Sequence, residues 1–338
     1  MRRYPFADGL VRGIDSAYEV DRDRFDEILL DNARKQGVEV RQPAEVRSFD
    51  IGADRVDVEL RTGDTLSGQV LVDATGQRSL VAARLGLRQM DAELKNFAVY
   101  SHYDGAKRGS GDHEGDITIV LVPDGWWWVI PLAGGRTSLG KVAPSRSLGG
   151  RRADGSYLDD ELAATPYLCE RFAGATRTAP VRTTSDYSYR STRFAGDRWL
   201  LCGDAAAFLD PVFSSGVYLA NAGGFRAAEA IDRALSRGRF SRRSFRSYER
   251  WLEHALGAYR QFVRGFYTPE FVEILMRPTD ALALRQAVTS LLAGEVDRFS
   301  ISWRIWLLHA IIRANRKWNL APRIEGRREA AARLDREP

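Results

Sequence analysis

Two apolar runs that each break into a turn of small residues constrain the fold of this chain more than any other feature. The first is Leu71–Gly76 and the second is Trp199–Ala205. Doubly wound α/β proteins bind dinucleotides at the carboxyl edge of a parallel sheet, where such turns allow close approach of the backbone. Either run alone is also compatible with an ordinary strand-to-loop junction or a local cap. Together they favour a cofactor site whose candidate residues are Asp73, Gly76, Gly203 and Asp204.

The remaining hydrophobic pattern alternates between helical and strand spacing. It predicts a helix that begins near Val20 and leads into a strand at 38–40, then strands at 55–60 and 66–72. A β-rich stretch follows from Asn96 to Val142, then a short buried strand at 198–201 and a helix over 216–235. The pattern beyond Ser241 is helical. The sequence therefore predicts an α/β fold: a doubly wound sheet, a β-rich layer and a helical C-terminal region.

The segment Phe208–Val217 directly follows the second run. Its Ser214-Ser215-Gly216 turn stands at the predicted start of a helix, where converging backbone N–H groups can bind an anion. Plain N-capping by one of the two serines is the commoner explanation of an isolated turn of this kind.

Three consecutive tryptophans, Trp126 to Trp128, form the rarest feature of the sequence. In a strand, Trp126 and Trp128 point to one face and Trp127 to the other. Two neighbouring indoles on one face predict a flat, dry wall, and ordinary sheet packing is the alternative.

Composition and charge exclude several classes of protein. The net charge of +5 is spread along the 338 residues, with no basic arm interleaved with aromatics, so nucleic-acid binding is not predicted. Two cysteines cannot build a disulfide framework, and the four histidines show no metal-ligand spacing, which favours the cytoplasm and no metal. No apolar stretch reaches the roughly 18 residues of a membrane span, so stable membrane insertion is not predicted.

Taken together, these segments resemble the flavin-dependent halogenases. Trp126-x-Trp128-x-Ile130-Pro131 matches their W-x-W-x-I-P signature, which is fairly specific. Asp210–Val217 resembles their halide-and-flavin loop, while the two small-residue turns resemble motifs of single-component FAD monooxygenases in general. The resemblance extends from about Tyr18 to Pro322.

The resemblance implies a reaction and its site residues. Reduced FAD, supplied by a separate flavin reductase, and oxygen convert chloride or bromide to hypohalous acid. The acid then reaches a separate pocket, where a lysine positions or carries the halogen. Three sets of residues carry over. The FAD site comprises Asp73, Gly76, Gly203, Asp204, Pro211 and Gly216; the halide site comprises Ser215 and Gly216; and Trp126, Trp128, Phe213 and Ser214 surround the reaction space.

The resemblance also narrows the substrate. Tryptophan halogenases carry a glutamate before the Ser-Thr-Gly of this loop, and here that place holds Phe213. We therefore expect a small aromatic substrate, a phenol or a pyrrole, as in members whose substrate is tethered to a carrier protein. Two alternatives stay open: a related aromatic hydroxylase or prenyl-chain reductase, and a non-catalytic remnant.

Two features of the family are missing from this sequence. The G-x-G-x-x-G strand-turn-helix and the catalytic lysine should precede Tyr18, and none of the five lysines has a matching context. We expect either that the start of the gene was placed too late or that the chain is a fragment or a decayed copy. Because it would lack the first βαβ unit, this chain should bind FAD weakly and be poorly soluble. The predicted organisation is 1–95 as the rest of the FAD domain, 96–190 as the β-rich substrate layer, 191–235 as the returning FAD segment, 236–322 as helices and 323–338 as a charged tail.

Overall fold

Two units make up the structure, and each is assembled from distant segments of the chain. The computed structural model describes residues 2–13, 15–276, 281–296, 299–318 and 320. The first unit contains Met1–Arg22, Ala92–Tyr187 and Gln261–Pro338, and the second contains Asp23–Asp91 and Ser188–Arg260. The predicted tail at 323–338 lies outside the described residues.

Helices and strands alternate along the described chain. The strands are β1 (Val46–Ile51), β2 (Val56–Leu60), β3 (Thr65–Gly68), β4 (Leu71–Asp73), β5 (Arg88–Met90), β6 (Asn96–Asp104), β7 (Thr118–Val122), β8 (Gly125–Pro131), β9 (Arg136–Pro144), β10 (Thr176–Arg177), β11 (Arg182–Ser185), β12 (Tyr189–Ser191), β13 (Ala195–Gly196), β14 (Trp199–Leu201) and β15 (Ala207–Phe208). The helices are α1 (Arg22–Lys35), α2 (Leu80–Arg84), α3 (Gly155–Ala163), α4 (Pro166–Phe172), α5 (Gly216–Arg237), α6 (Arg246–Phe266), α7 (Pro269–Leu275), α8 (Leu284–Leu292) and α9 (Phe299–Trp318).

An antiparallel sheet in the order β10-β6-β9-β8-β7 forms the centre of the first unit, and β11 also pairs with β6. One face of this sheet packs against α3 and α4 in a core that contains Phe97, Trp127, Tyr157 and Phe172. Asp154 starts α3 by accepting hydrogen bonds from the N–H groups of residues 156 and 157 at 3.1 and 3.3 Å. The sheet therefore has one face committed to this core, while its other face carries Trp126, which is 1% exposed, and Trp128, which is half-buried.

The second unit contains three small sheets, in the orders β1-β2-β3, β15-β12-β5 and β13-β14-β4. Strands β14 and β4 run parallel, with Leu201 opposite Asp73, so both strands end at the same edge. Helix α5 buries small residues at helical spacing, namely Gly223, Ala227, Ala230 and Ala234. Small side chains let its backbone approach its neighbours closely.

The structure confirms the predicted mixture of helices and strands and most of the predicted segments, with two corrections. No described strand includes 38–40; instead the Val38 N–H donates to the Ala33 carbonyl at 3.1 Å and closes α1, and the Val38 side chain is 55% exposed. The predicted strand 66–72 is divided between β3, which pairs with β2, and β4, which pairs with β14. Helices α3 and α4 were not predicted.

Candidate functional site

The two predicted cofactor turns lie side by side at the ends of β4 and β14. The Cys202 N–H donates to the Asp73 carbonyl at 2.9 Å, which extends the parallel pairing by one residue. The Ser79 hydroxyl donates to the Ala205 carbonyl at 2.6 Å, and Ser79 is completely buried. The structure therefore brings Asp73, Gly76, Gly203 and Asp204 together at the edge where doubly wound sheets bind dinucleotides.

The Asp73 carboxylate is used by its own turn. One oxygen accepts the Thr75 N–H at 3.0 Å and the Thr75 hydroxyl at 2.6 Å, and the other accepts the Val81 N–H at 2.7 Å. Gly76 follows with a φ of +66°, and a side chain there would meet no described atom within 4 Å. Asp73 therefore shapes the turn, and Gly76 stands beside open space.

The turn after β14 is held at its backbone. Gly203 has a φ of +58°, and a Cβ there would lie 3.3 Å from the Cβ of Ala220 on α5, so helix and turn approach closely. The half-exposed Asp204 accepts the Tyr189 hydroxyl at its carbonyl oxygen, at 2.6 Å. Burial raises the pKa of Tyr189 to about 12, so its phenol remains a neutral donor at physiological pH.

The loop Asp210–Gly216 follows directly and is shaped by backbone geometry. The buried Asp210 accepts the Val212 N–H at 3.0 Å and starts a single turn over Pro211–Phe213. Ser214 has a φ of +49°, in the left-handed region, and its N–H donates to the Pro211 carbonyl at 3.0 Å. This reversal leads the chain into Ser215 and α5.

Helix α5 begins at an N-cap serine whose side chain makes no capping bond. Ser215 holds the N-cap position without a side-chain bond to the first turn, and its carbonyl accepts the Leu219 N–H at 2.9 Å. The first N–H groups of a helix have no partner within the helix and attract anions. A Cβ at the exposed Gly216 would meet no described atom within 4 Å. Phe213 is half-buried and Ser214 exposed beside this start.

These features fit an anionic dinucleotide and a halide. The turns at Gly76 and Gly203 use positive φ values, and both Gly76 and Gly216 leave space where a side chain would stand. Together with the start of α5, where Ser215 makes no side-chain cap, they present backbone N–H groups without a blocking Cβ.

The predicted alternation of the three tryptophans on β8 is confirmed in the first unit. The rings of Trp126 and Trp128 lie 6.0 Å apart between centroids, tilted by 51°, while Trp127 is buried in the core on the other face. The tilt means that the two indoles form an angled surface and not the flat wall that was predicted.

Each of these two indoles has a defined polar partner. Trp126 Nε1 donates to the Tyr267 hydroxyl, and Trp128 Nε1 donates to the Ser138 hydroxyl, both at 3.0 Å. The Trp128 ring lies over Gly140, its partner on β9, where a Cβ would stand 2.2 Å from Cζ2. The orientation of Trp128 therefore requires glycine at 140.

Sequence reasoning missed the residues that hold the tryptophans. Gly140 gave a weak signal, because a glycine inside a strand marks close approach of another group. Tyr267 gave none, since it lies 141 residues from Trp126. Phe266 and Tyr100 were also missed; their rings lie 6.0 Å from Trp126 and 5.6 Å from Trp128.

The lysines differ sharply in environment. Lys141 is 1% exposed, and its Nζ contacts carboxylate oxygens of Asp124 at 2.9 Å and Glu161 at 2.5 Å. Burial lowers the pKa of Lys141, but these two carboxylates outweigh burial and hold the pKa above its ordinary value. Lys141 is thus a charged group with two carboxylate partners, while the other four lysines are exposed.

Within the described ranges, no three His, Cys, Asp or Glu side chains converge as metal ligands.

Comparison with known proteins gives consistent results. A model of the family described as Tryptophan halogenase matches residues 2–270. The chain is 30% identical over 266 residues to the 1H-pyrrole-2-carbonyl-[peptidyl-carrier protein] chlorinase of Pseudomonas fluorescens, covering 75% of this chain and 59% of that protein. It is 34% identical over 228 residues to the Tryptophan 2-halogenase of Chondromyces crocatus, covering 64% and 44%.

Structural similarity agrees with the sequence matches. The structure of the flavin-dependent brominase Bmp2 superposes with a TM-score of 0.80 at 29% identity and covers 89% of this chain and 77% of that one. The predicted fold class and the resemblance to flavin-dependent halogenases are both confirmed. This chain nevertheless spans only about half the length of the two relatives above.

Proposed function

Because this chain belongs to the tryptophan halogenase family, we propose that it acts as an FAD-dependent halogenase of electron-rich aromatic rings. The match to the family over residues 2–270 carries this proposal. The similarity to the brominase Bmp2 supports it. We place the reaction in the cytoplasm, where the two free cysteines, Cys169 and Cys202, would remain reduced.

The substrate in this proposal is a phenol or a pyrrole, including a pyrrole carried on a carrier protein. The match to the carrier-protein chlorinase supports the pyrrole class. Phe213 supports the exclusion of free tryptophan, because an apolar ring stands where the resemblance places a glutamate. Because one of the relatives is a tryptophan 2-halogenase, free tryptophan is the competing substrate that the experiment must include.

FAD would be held mainly by backbone in the second unit. Gly76, Gly203 and Pro211 would allow close approach of the cofactor, Asp204 would accept hydrogen bonds from sugar hydroxyls, and Asp73 would fix the turn that carries Gly76. Reduced FAD, delivered by a separate flavin reductase, would supply two electrons that bring oxygen to the peroxide level, and this oxidant would convert the halide to hypohalous acid.

The halide would be bound at the start of α5. The N–H groups of Ser215 and Gly216 lie at the start of the helix, whose positive end favours an anion. Trp126 and Trp128 would exclude water from the reacting groups, as the resemblance implies; their indole N–H groups already have protein partners in Tyr267 and Ser138. Phe213 and Ser214 would border the halide from the loop.

The test uses protein expressed from the complete open reading frame, with a flavin reductase, FAD and chloride or bromide. Mass spectrometry should show the halogen isotope pattern on a phenol or carrier-bound pyrrole. Gly216→Val should reduce halogenation at least about a hundredfold by closing the anion site. Gly224→Val is the matched control, since Gly224 is also an exposed α5 glycine with open space around its Cβ position.

Three outcomes contradict the proposal. Products that gain oxygen but no halogen would identify an aromatic hydroxylase. Turnover of free tryptophan in preference to phenols and pyrroles would refute the substrate class. Equal losses in Gly216→Val and Gly224→Val would show that the effect comes from the helix and not from the halide site.

A further inference from the structure

Helix α9 in the first unit presents two opposite stripes with the same helical spacing. One stripe is buried and packs inward: Ile301, Ile305, Leu308, Ile312 and Asn315. The opposite stripe contains Trp303, Trp306, Ala310, Arg313 and Lys317. Side chains three and four residues apart share a face, so this second stripe is a continuous surface that points away from the packed side.

The N-terminal half of the second stripe is apolar, with Trp306 exposed and Trp303 half-buried. Trp306 is 66% exposed, although indoles of this size are usually well covered. Leu282, which is 62% exposed, lies beside the same helix, because Arg304 Nε donates to the Leu282 carbonyl at 3.0 Å. The Arg304 guanidinium also lies 4.4 Å from the centroid of the Trp303 ring. Exposed apolar side chains therefore lie both on α9 and on the segment that precedes it.

The C-terminal half of α9 is cationic. The helix sequence contains Arg304, Arg313, Arg316 and Lys317 and no aspartate or glutamate. These positive charges favour a partner that carries negative charge over a neutral one. An anionic partner would neutralise them, and an exposed tryptophan that shares a helix face with Arg and Lys suits the boundary between lipid headgroups and acyl chains.

We propose that α9 binds reversibly to an anionic lipid surface. Trp303 and Trp306 enter the boundary between headgroups and acyl chains, and Arg313 and Lys317 contact lipid phosphates. The contact is peripheral, since none of the described helices is long and apolar enough to cross a bilayer. This inference goes beyond the proposed halogenation and does not depend on it.

The test is sedimentation of the 338-residue chain with lipid vesicles, which requires no cofactor. The protein should sediment with vesicles of phosphatidylcholine and phosphatidylglycerol in equal parts and remain free with phosphatidylcholine alone. Trp306→Ala should weaken binding at least about tenfold through the loss of buried indole area. Arg313→Gln and Lys317→Gln should each weaken it about fivefold, and added salt should weaken it further.

Matched controls come from the second unit. Phe225→Ala removes an α5 aromatic side chain that is 67% exposed, and Arg237→Gln and Arg239→Gln remove exposed charges; all three should bind like the parent. Equal binding to both vesicle types, or equal losses in the controls, would overturn the proposal. A concentration-dependent dimer in sedimentation velocity that Trp306→Ala dissociates would identify a second copy as the occupant and refute the lipid partner.

Discussion

The tryptophan strand β8 and the loop Asp210–Gly216 are held in place by different parts of the chain. On β8, Trp126 and Trp128 are fixed by side-chain partners, Tyr267 and Ser138, and by the absence of a side chain at Gly140. The loop is fixed by hydrogen bonds to backbone N–H groups and by one left-handed residue, Ser214. Both regions contribute candidate site residues, but they respond to mutation in different ways.

The comparison shows that the stability of one region depends on side-chain volume and that of the other on backbone geometry. A packed aromatic surface is sensitive to volume, because protein interiors leave few gaps and relax only partly. A turn set by backbone is sensitive to lost caps and to changes in φ, while side chains that point to open space can vary. Four substitutions test this contrast, from the largest expected change in the free energy of unfolding to the smallest.

Gly140→Ala should be the most damaging of the four. The new methyl would overlap the Trp128 ring, so either the indole leaves its position or the strands move apart. We expect a loss of about 3 kcal/mol, the upper end for overpacking, measured by urea denaturation. The tryptophan emission spectrum should shift at the same time. A stability within about 0.5 kcal/mol of the parent would show that Trp128 is not constrained by volume.

Asp210→Ala should remove the cap of the turn over Pro211–Phe213. Without the carboxylate, the Val212 N–H loses its partner at 3.0 Å. We expect about 1–2 kcal/mol of destabilisation in the same denaturation experiment, with Asp210→Asn within a few tenths because the amide oxygen still accepts. If the asparagine variant is as unstable as the alanine variant, charge and not capping holds the loop.

Tyr267→Phe should remove the acceptor of the Trp126 indole N–H and keep the ring. The expected cost is about 1 kcal/mol, the usual contribution of one hydrogen bond. Tyr100→Phe is the control, since its ring packs beside Trp128. Urea denaturation should separate the stabilities of the two variants. The fluorescence lifetime of the indoles should change only in Tyr267→Phe. Equal stabilities would mean that Trp126 is held by packing alone.

Gly216→Ala should have the smallest effect on stability. Its Cβ would point into open space at the start of α5, so we expect a change within about 0.5 kcal/mol, or a slight gain from the less flexible unfolded chain. Thermal unfolding measured beside Gly140→Ala tests this directly. A large loss would mean that the loop depends on volume as β8 does, and the contrast between the two regions would fail.

The sequence predicts local patterns well in both regions but not the partners that lie far away. Alternation alone places Trp126 and Trp128 on one face, and the small-residue turns alone indicate the ends of β4 and β14. The run 66–72 is continuous in sequence yet joins two sheets, since nothing in a run of residues states which neighbour it will pair with. The strand predicted at 38–40 failed because Val38 instead closes α1.

Long-range contacts account for most of what was missed at the candidate site. The bond from Trp126 to Tyr267 links residues 141 positions apart, and no periodic pattern can signal it. Asp73 was predicted as a cofactor-site residue from its place in the turn motif, and nothing in the sequence indicated that its carboxylate bonds to Thr75 and Val81. Residue chemistry suggests what a group can do, but its neighbours decide which of those interactions it makes.

The contact between Trp128 and Gly140 also has an evolutionary consequence. The two residues are opposite each other on neighbouring strands, and the volume of one occupies the space that the other leaves empty. Neither position can change freely on its own: a side chain at 140 requires a smaller residue at 128, and loss of the indole leaves a gap above the glycine. Among relatives of this chain, the two positions should therefore covary, with substitutions fixed as pairs and single changes removed by selection.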